Sequence, residues 1–311
     1  MSLNVSGLSV FTDENKMELI KKSVLGGRTT QFITVQPDIK SSASINIIDS
    51  TLDAQAGACG WNAAGTTALS QRNLAVCPIK INEAICLDTL ESYYTQKMMN
   101  AGSYNESIPF EQIFAEEKAG KIGALIDDIM WRGNTDSGSG DLALCDGFLY
   151  LFDNTAASGS TVAGNSSSAT AITASNIIGL VDDMAASIAT DIIDSEDLVL
   201  FMGYDTYRLW ALALRNANLF HYDGAENQGD SFSQMIPGTN IKVVAVRGLN
   251  GTNRMVASRG ANMYFGTDLL NDAEDFSIFY SSDNDEVRFR SKWKMGVQVA
   301  FPEFVSVFIL V

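Results

Sequence analysis

One histidine, four cysteines and five prolines in 311 residues leave little material for several kinds of chemistry. The histidine, His221, sits in NLFHYDG. Alone it cannot supply a His-rich metal site, and no HExxH occurs. A Ser–His or Cys–His nucleophile would have only this one base, so His221 reads as structural or solvent-exposed. The nucleophile elbow GxSxG is missing. Gly120-Lys121 lacks the earlier glycine and the following Ser or Thr of a phosphate loop, and Gly138-Ser139-Gly140 lacks the third glycine of a dinucleotide turn. Cys59, Cys77, Cys86 and Cys145 form no CxxC. They read as reduced thiols, mostly packing residues, rather than as a structural zinc site.

Positive charge is scarce too. Lys plus Arg is 21 against 37 for Asp plus Glu, a net charge of −16. Such a chain gains no counterion-release affinity for nucleic-acid phosphate, and an anionic membrane surface repels it. This argues against a nucleic-acid reader. It does not argue against a container, where repulsion keeps DNA mobile against the wall. The longest clean apolar run, VSVFILV from Val305 to Val311, is far short of a membrane span and suits a buried strand. The opening MSLNVSGLSVFTDENK has no basic region followed by an apolar one. A protein made and kept in a cytoplasm, with no membrane partner, is expected.

Carboxylates are plentiful: Asp182, Asp183, Asp191, Asp194, Glu196, Asp197, and the stretch from Asp268 to Glu286, which holds seven acids and no Lys or Arg. They lack calcium-loop spacing and its glycine. Solvated or intersubunit charge is the expected role. No catalytic residue, cofactor or metal site is expected.

Apolar residues make up 46% of the chain and charged residues 19%. That suffices for a large core in one domain or two linked ones, with part of the surface covered by neighbours. Residues 1–27 read as an arm with a short helix stopped by Gly26-Gly27. Residues 28–90 read as β throughout. TTQFITVQ from Thr29, SINIID from Ser44, NLAVC from Asn73 and IKINEAICL from Ile79 all alternate. Between them lies AQAGACGWNAAGTTAL, which is small, glycine-rich and almost uncharged. A long two-armed β extension is expected, marginal alone in water and needing another surface to lie on. Residues 107–130 predict the best helix, with Ser107 as N-cap, Pro109 in the first turn and one apolar stripe. The apolar GFLYLF follows. Asn154 to Ser175, rich in Ala, Ser, Thr and Gly, reads as a surface loop. Helices capped by Ser175 and Asp205 then alternate with strands at Leu198, Ile241, Arg254 and Asn262 in an α/β unit. Finally EVRFRSKWKMGVQVAF alternates strictly, with Arg288, Arg290, Lys292 and Lys294 on one side and Val287, Phe289 and Trp293 on the other. The cations are expected to meet the acids of 268–286, within the subunit or across an interface.

This order of elements resembles the major capsid proteins of tailed bacteriophages, the Hong Kong 97-type capsid fold. GLSVFTDENKMELIKKSVLGGRT with KSSASINIIDS is similar to the arm and first limb of that family's extended loop. ACGWNAAGTTALSQRNLAV with KINEAICLDTLESYYTQK is similar to the tip and return limb. IPFEQIFAEEKAGKIGALIDDIMWRGNT with LCDGFL resembles the spine helix and the strand after it. MGYDTYRLWALAL and VRFRSKWKMGVQVAFPEFV fit the axial domain and the peripheral sheet.

The resemblance implies an α+β fold divided into an N-terminal arm (1–27), an extended β loop (28–90), a peripheral domain with the spine helix (91–153), an axial domain (154–270) and return strands of the peripheral domain (271–311). It implies hexamers and pentamers closing into an icosahedral head around double-stranded DNA, with no sequence-specific contact. Assembly in the bacterial cytoplasm, with portal, scaffolding and possibly decoration proteins as partners, belongs to the same expectation. Many relatives carry a helical N-terminal scaffold extension, whereas the sequence here opens directly on the expected arm, so that either an extension has been cut away or scaffolding is a separate protein. Met1 favours scaffolding by a separate protein over removal of an extension. Trp61, Arg28, Arg72, Arg288, Arg290, Lys292 and Lys294 are the candidates for intersubunit contact. The alternative is an encapsulin-like shell storing a cargo enzyme. A tail-tube or decoration subunit would be smaller and nearly all β.

Overall fold

The computed structural model describes residues 27–57, 59–60, 63–86, 110–154, 163–167, 171–217, 232–268, 275–284 and 286–310. The expected arm helix, the Ser107 and Pro109 cap, Trp61 and His221 lie outside these residues.

Two sheets and a long helix build the body. The helix, α1, spans Phe110–Arg132 and is about 35 Å long at its ordinary rise. Ala115, Ala119, Ile122, Ile126, Ile129 and Met130 recur at three- and four-residue spacing, and all are buried. They pack on one face of a five-stranded sheet. Its strands are β1 (Thr34–Gln36), β4 (Cys77–Cys86), β10 (Met263–Thr267), β11 (Asp275–Ser281) and β12 (Glu286–Val299). β12 runs 14 residues and pairs with β4 along one side and with β11 and β10 along the other. Its burial alternates, so Val287, Phe289 and Trp293 face α1.

The second sheet has six strands in the order β5 (Ala163–Ser167), β13 (Ser306–Leu310), β9 (Met255–Arg259), β6 (Leu198–Gly203), β8 (Lys242–Val246) and β7 (Ser233–Met235). Every residue of β6 is buried, as suits a strand covered on both faces. Val199, Phe201, Val244 and Val256 join the core beneath α1. Leu198, Leu200, Met202, Val243 and Ala257 pack instead with α3 (Ile177–Ser187) and α4 (Tyr204–Asn216).

Several expectations are corrected. LCDGFL, likened to a strand after the long helix, leads instead into a helix, α2 (Phe148–Asp153). Phe148, Leu151 and Phe152 are buried, and that spacing of three and four puts them on one helical face. A short uniformly apolar run does not reveal its own period. Thr29–Gln31 forms a turn of 3-10 helix, leaving only Thr34–Gln36 as strand. The small-residue stretch after Asn154 contributes β5, and the acidic stretch contributes β11. Gly203 and Asn176 occupy the helix N-cap positions expected of Asp205 and Ser175. Asp205 instead accepts the Thr206 and Gly251 N–H groups. The chain also crosses between sheets where separation was expected. β10 pairs with β1 and β12 in the sheet on α1, and β13 pairs with β5 and β9 in the other. Cys77 and Cys145 form a disulfide, contrary to the reduced-thiol expectation, while Cys59 and Cys86 are free and exposed.

Three parts of the chain meet at Asp127, on the buried side of α1. Thr29 Oγ1 donates to Asp127 Oδ1 at 2.5 Å, and the Gly248 N–H donates to Oδ2 at 3.0 Å. Trp131 Nε1 donates to the same Thr29 hydroxyl at 2.8 Å, and its ring lies 5.3 Å from Phe148 and 5.2 Å from Phe201. A Cβ on Gly248 would come within 2.3 Å of the Asp127 carbonyl oxygen, so no larger residue fits there. Burial pushes the Asp127 carboxyl above its ordinary value of 3.8. The Thr29 and Gly248 hydrogen bonds oppose that rise, and neighbouring Asp128, which pairs with Arg247 at 3.5 Å, adds to it.

A raised acid favours the folded state below the unfolded pKa and loses that advantage as pH rises through the folded value. The stability of the native chain relative to Asp127→Asn is therefore expected to fall as pH rises above the ordinary carboxylate range, followed by thermal unfolding at each pH. Ile126→Ala, which opens a cavity between α1 and the sheets, is expected to cost about 2–5 kcal/mol in chemical denaturation.

Candidate assembly surface

The feature of this body that stands apart is a hairpin of β2 (Ser42–Thr51) and β3 (Thr66–Ala75), a two-stranded sheet of its own. Ten residue pairs join the strands, from Ser42–Ala75 at the root to Thr51–Thr66 at the far end. At ordinary strand rise that is about 33 Å.

The root is fixed to the body. Ile39, Ile45, Ile47, Leu74 and Ala300 form a small buried cluster. Gln298 Nε2 donates to the Asn73 carbonyl at 2.9 Å, and Lys294 Nζ donates to the Lys40 carbonyl at 2.7 Å. Gly296 lies so close to the Ala75 carbonyl that a Cβ would come within 2.0 Å. Arg72 lies here, half-buried on β3 opposite Ile45. Burial lowers the pKa of its guanidinium, and the nearby Glu303 carboxylate opposes that fall.

Among the described residues the outer half has nothing beneath it. Ile48 and Leu69 face each other across the strands, 66% and 77% exposed, and Leu52 beyond them is 92% exposed. They lie on the face opposite Ile45 and Ile47, because successive side chains alternate. Asp49 and Asp53 are exposed beside them. The expectation that all of 28–90 stands off the body is therefore corrected. β1 and β4 are strands of the five-stranded sheet, and only the outer part of the hairpin extends alone. β4 belongs to the body because ten residues from Cys77 to Cys86 pair with β12.

The cations of β12 share one face. Lys80 of β4 lies opposite Lys292, and Pro78, Asn82 and Ala84 lie opposite Lys294, Arg290 and Arg288. Acids meet several of them within the chain. Lys294 Nζ is 3.3 Å from Asp268, Arg288 Nε is 3.5 Å from Glu286, and Asp275 of β11 stands opposite Lys292 in the ladder. The expected meeting with the acidic stretch thus occurs within the subunit for Lys294 and Arg288. Arg28 lies elsewhere, its guanidinium 5.9 Å from the centre of the Phe232 ring. Sequence reasoning passed over Ile48, Leu69 and Leu52. The signal was present in Ile47-Ile48, where two adjacent isoleucines in a strand must face opposite ways.

Among the described residues no group of three or more His, Cys, Asp or Glu side chains is placed to hold a metal ion, and no helix is long and apolar enough to cross a membrane.

The arrangement recurs in solved structures. A chain of the satellite phage P4 procapsid with size determination (Sid) protein is 15% identical, with a TM-score of 0.59 over 95% of this chain and 91% of that one. A chain of the capsid of a native GTA particle is 14% identical, with a TM-score of 0.54 over 89% and 88%. The fold is that of phage capsid proteins. A chain from Gordonia phage Cozz agrees, at 12% identity and a TM-score of 0.59 over 91% of this chain and 86% of that one. No family model matches the sequence, and no curated protein matches it. The capsid fold is thus carried here by a sequence that shares few identities with those chains.

Ile48 and Leu69 belong to none of the buried clusters among the described residues, so changes there should leave the fold intact. Ile48→Ser with Leu69→Ser is expected to shift the unfolding free energy by no more than about 0.5 kcal/mol per site. Ile45→Ser at the buried root is expected to lower it markedly, both followed by chemical denaturation.

Proposed function

We propose that this chain is the structural subunit of a phage-type shell, in which copies form hexamers and pentamers that close into an icosahedral head around double-stranded DNA. The supporting observation is the apolar outer half of the hairpin, Ile48, Leu69 and Leu52, projecting from a body with the capsid fold. A two-stranded ribbon is marginal by itself. An apolar surface held out in this way is covered in the working molecule, and a second copy is always at hand in a shell.

Ring closure requires one patch to meet a different patch, repeated by rotation. The hairpin supplies one such patch. In this reading α1 is the spine of a peripheral domain, and the six-stranded sheet with α3 and α4 is the axial domain at the ring centre. Arg28, Arg72 and the β12 cations, with Trp61 from the sequence between β2 and β3, supply polar and aromatic contacts around the apolar ones. Each contact is modest, and closure adds them together. The net charge of −16 suits a wall that does not grip the DNA it encloses. Portal, scaffolding and decoration proteins are the expected accessory partners.

Electron microscopy of the expressed protein tests this reading. Round shells of uniform size are expected, while filaments or dispersed monomers would contradict it. Shells holding a protein cargo and no genome after infection would shift the reading to the encapsulin-like alternative. Burying Ile48 and Leu69 is worth about 1.5–3 kcal/mol each. The double serine variant is therefore expected to lose shell formation while remaining folded.

A further inference from the structure

We infer that the Cys77–Cys145 disulfide is a staple that closes after the shell leaves the cell, and that the subunit folds and assembles with both residues as thiols. The inference rests on the shell reading, because that reading places assembly in a reducing cytoplasm and the finished particle outside it. Cytosolic thiols are kept reduced by the glutathione and thioredoxin systems.

The surroundings accommodate both states. The two Cα atoms are 5.8 Å apart, within the reach of a disulfide without backbone movement. Cys145 is buried and Cys77 half-buried against the core beneath α1, where a reduced cysteine packs as a small apolar side chain. Cys145 Sγ also lies 3.3 Å from the Met295 carbonyl oxygen, so a thiol hydrogen has an acceptor waiting. The site thus offers apolar packing and an acceptor that suit a thiol as well as the bond.

The bond matters for what it joins. Cys77 is the first residue of β4, directly after the hairpin root, and it stands opposite Met295 of β12. Cys145 follows the turn after α1, just before α2. The two are 68 residues apart, and the closed loop contains all of β4 and α1. A cross-link across so long a loop constrains the unfolded chain strongly. It ties the hairpin root to the end of the long helix, the two parts that hold the projecting arm in place. The chemistry balances by thiol–disulfide exchange. The Cys77 and Cys145 thiols become one disulfide, and a low-molecular-weight disulfide is cleaved to two thiols that take up both electrons and both protons.

The test counts thiols in the native chain. Cells are lysed directly into denaturant with an alkylating agent, and shells purified and held in oxidised glutathione are denatured the same way. Mass spectrometry then reads modification at Cys77 and Cys145. Both are expected to be alkylated in the cellular sample and spared in the released shells. Sparing in both samples would show a bond made before release, and alkylation in both would show no bond; either overturns the inference. Oxidised shells should also melt on the order of 5 °C or more above reduced ones, and Cys77→Ala shells should show no such response. If no shells form under any condition, the shell reading fails by itself, and the same count on the unassembled chain still reports when the bond forms.

Discussion

A two-stranded ribbon can bury side chains on only one of its faces, and only where a body lies beneath it. Much of this molecule follows from that limit. At the hairpin root Ile45, Ile47 and Leu74 are covered by the strands around Ala300. On the opposite face of the ribbon, Ile48 and Leu69 meet water, as does Leu52 farther out. The rest of the chain holds that root in place. β4 continues from the hairpin into a ten-residue ladder with β12, and α1 lies across the sheet so formed.

The rigidity of this mounting comes from a core shared between layers. One cluster runs from the five-stranded sheet through α1 to one face of the six-stranded sheet. Trp131 and Asp127 sit where α1, the segment at Thr29 and the turn at Gly248 converge. β10 and β13 each pair in the sheet nearer the other half of the chain, so the two sheets are interlocked by strand exchange as well as by packing.

The sequence made the repeating parts legible and hid the non-local ones. The stripe on α1 and the alternation of Val287, Phe289 and Trp293 carry their own period, and both formed as expected. Phe148 to Phe152 carries no readable period, and it forms a helix where the resemblance of LCDGFL implies a strand. β5 and β11 have unremarkable composition and exist because a partner strand offers a free edge. The pairing of Cys77 with Cys145 depends on a fold that brings together residues 68 apart, which spacing does not reveal. At the candidate surface, composition pointed to the hairpin and to the cationic stripe. It did not tell which isoleucine faces the body, and it did not show that Asp268 and Glu286 already meet two of the cations.

The central claim is that the outer half of the hairpin is covered by a second copy of the chain. Hydrogen exchange of its backbone amides, compared between assembled and unassembled protein, addresses this most directly. The account predicts slow exchange at residues 48–52 and 66–69 in the assembly and fast exchange in the separated subunit. Equal, fast exchange at those residues in both states would contradict it.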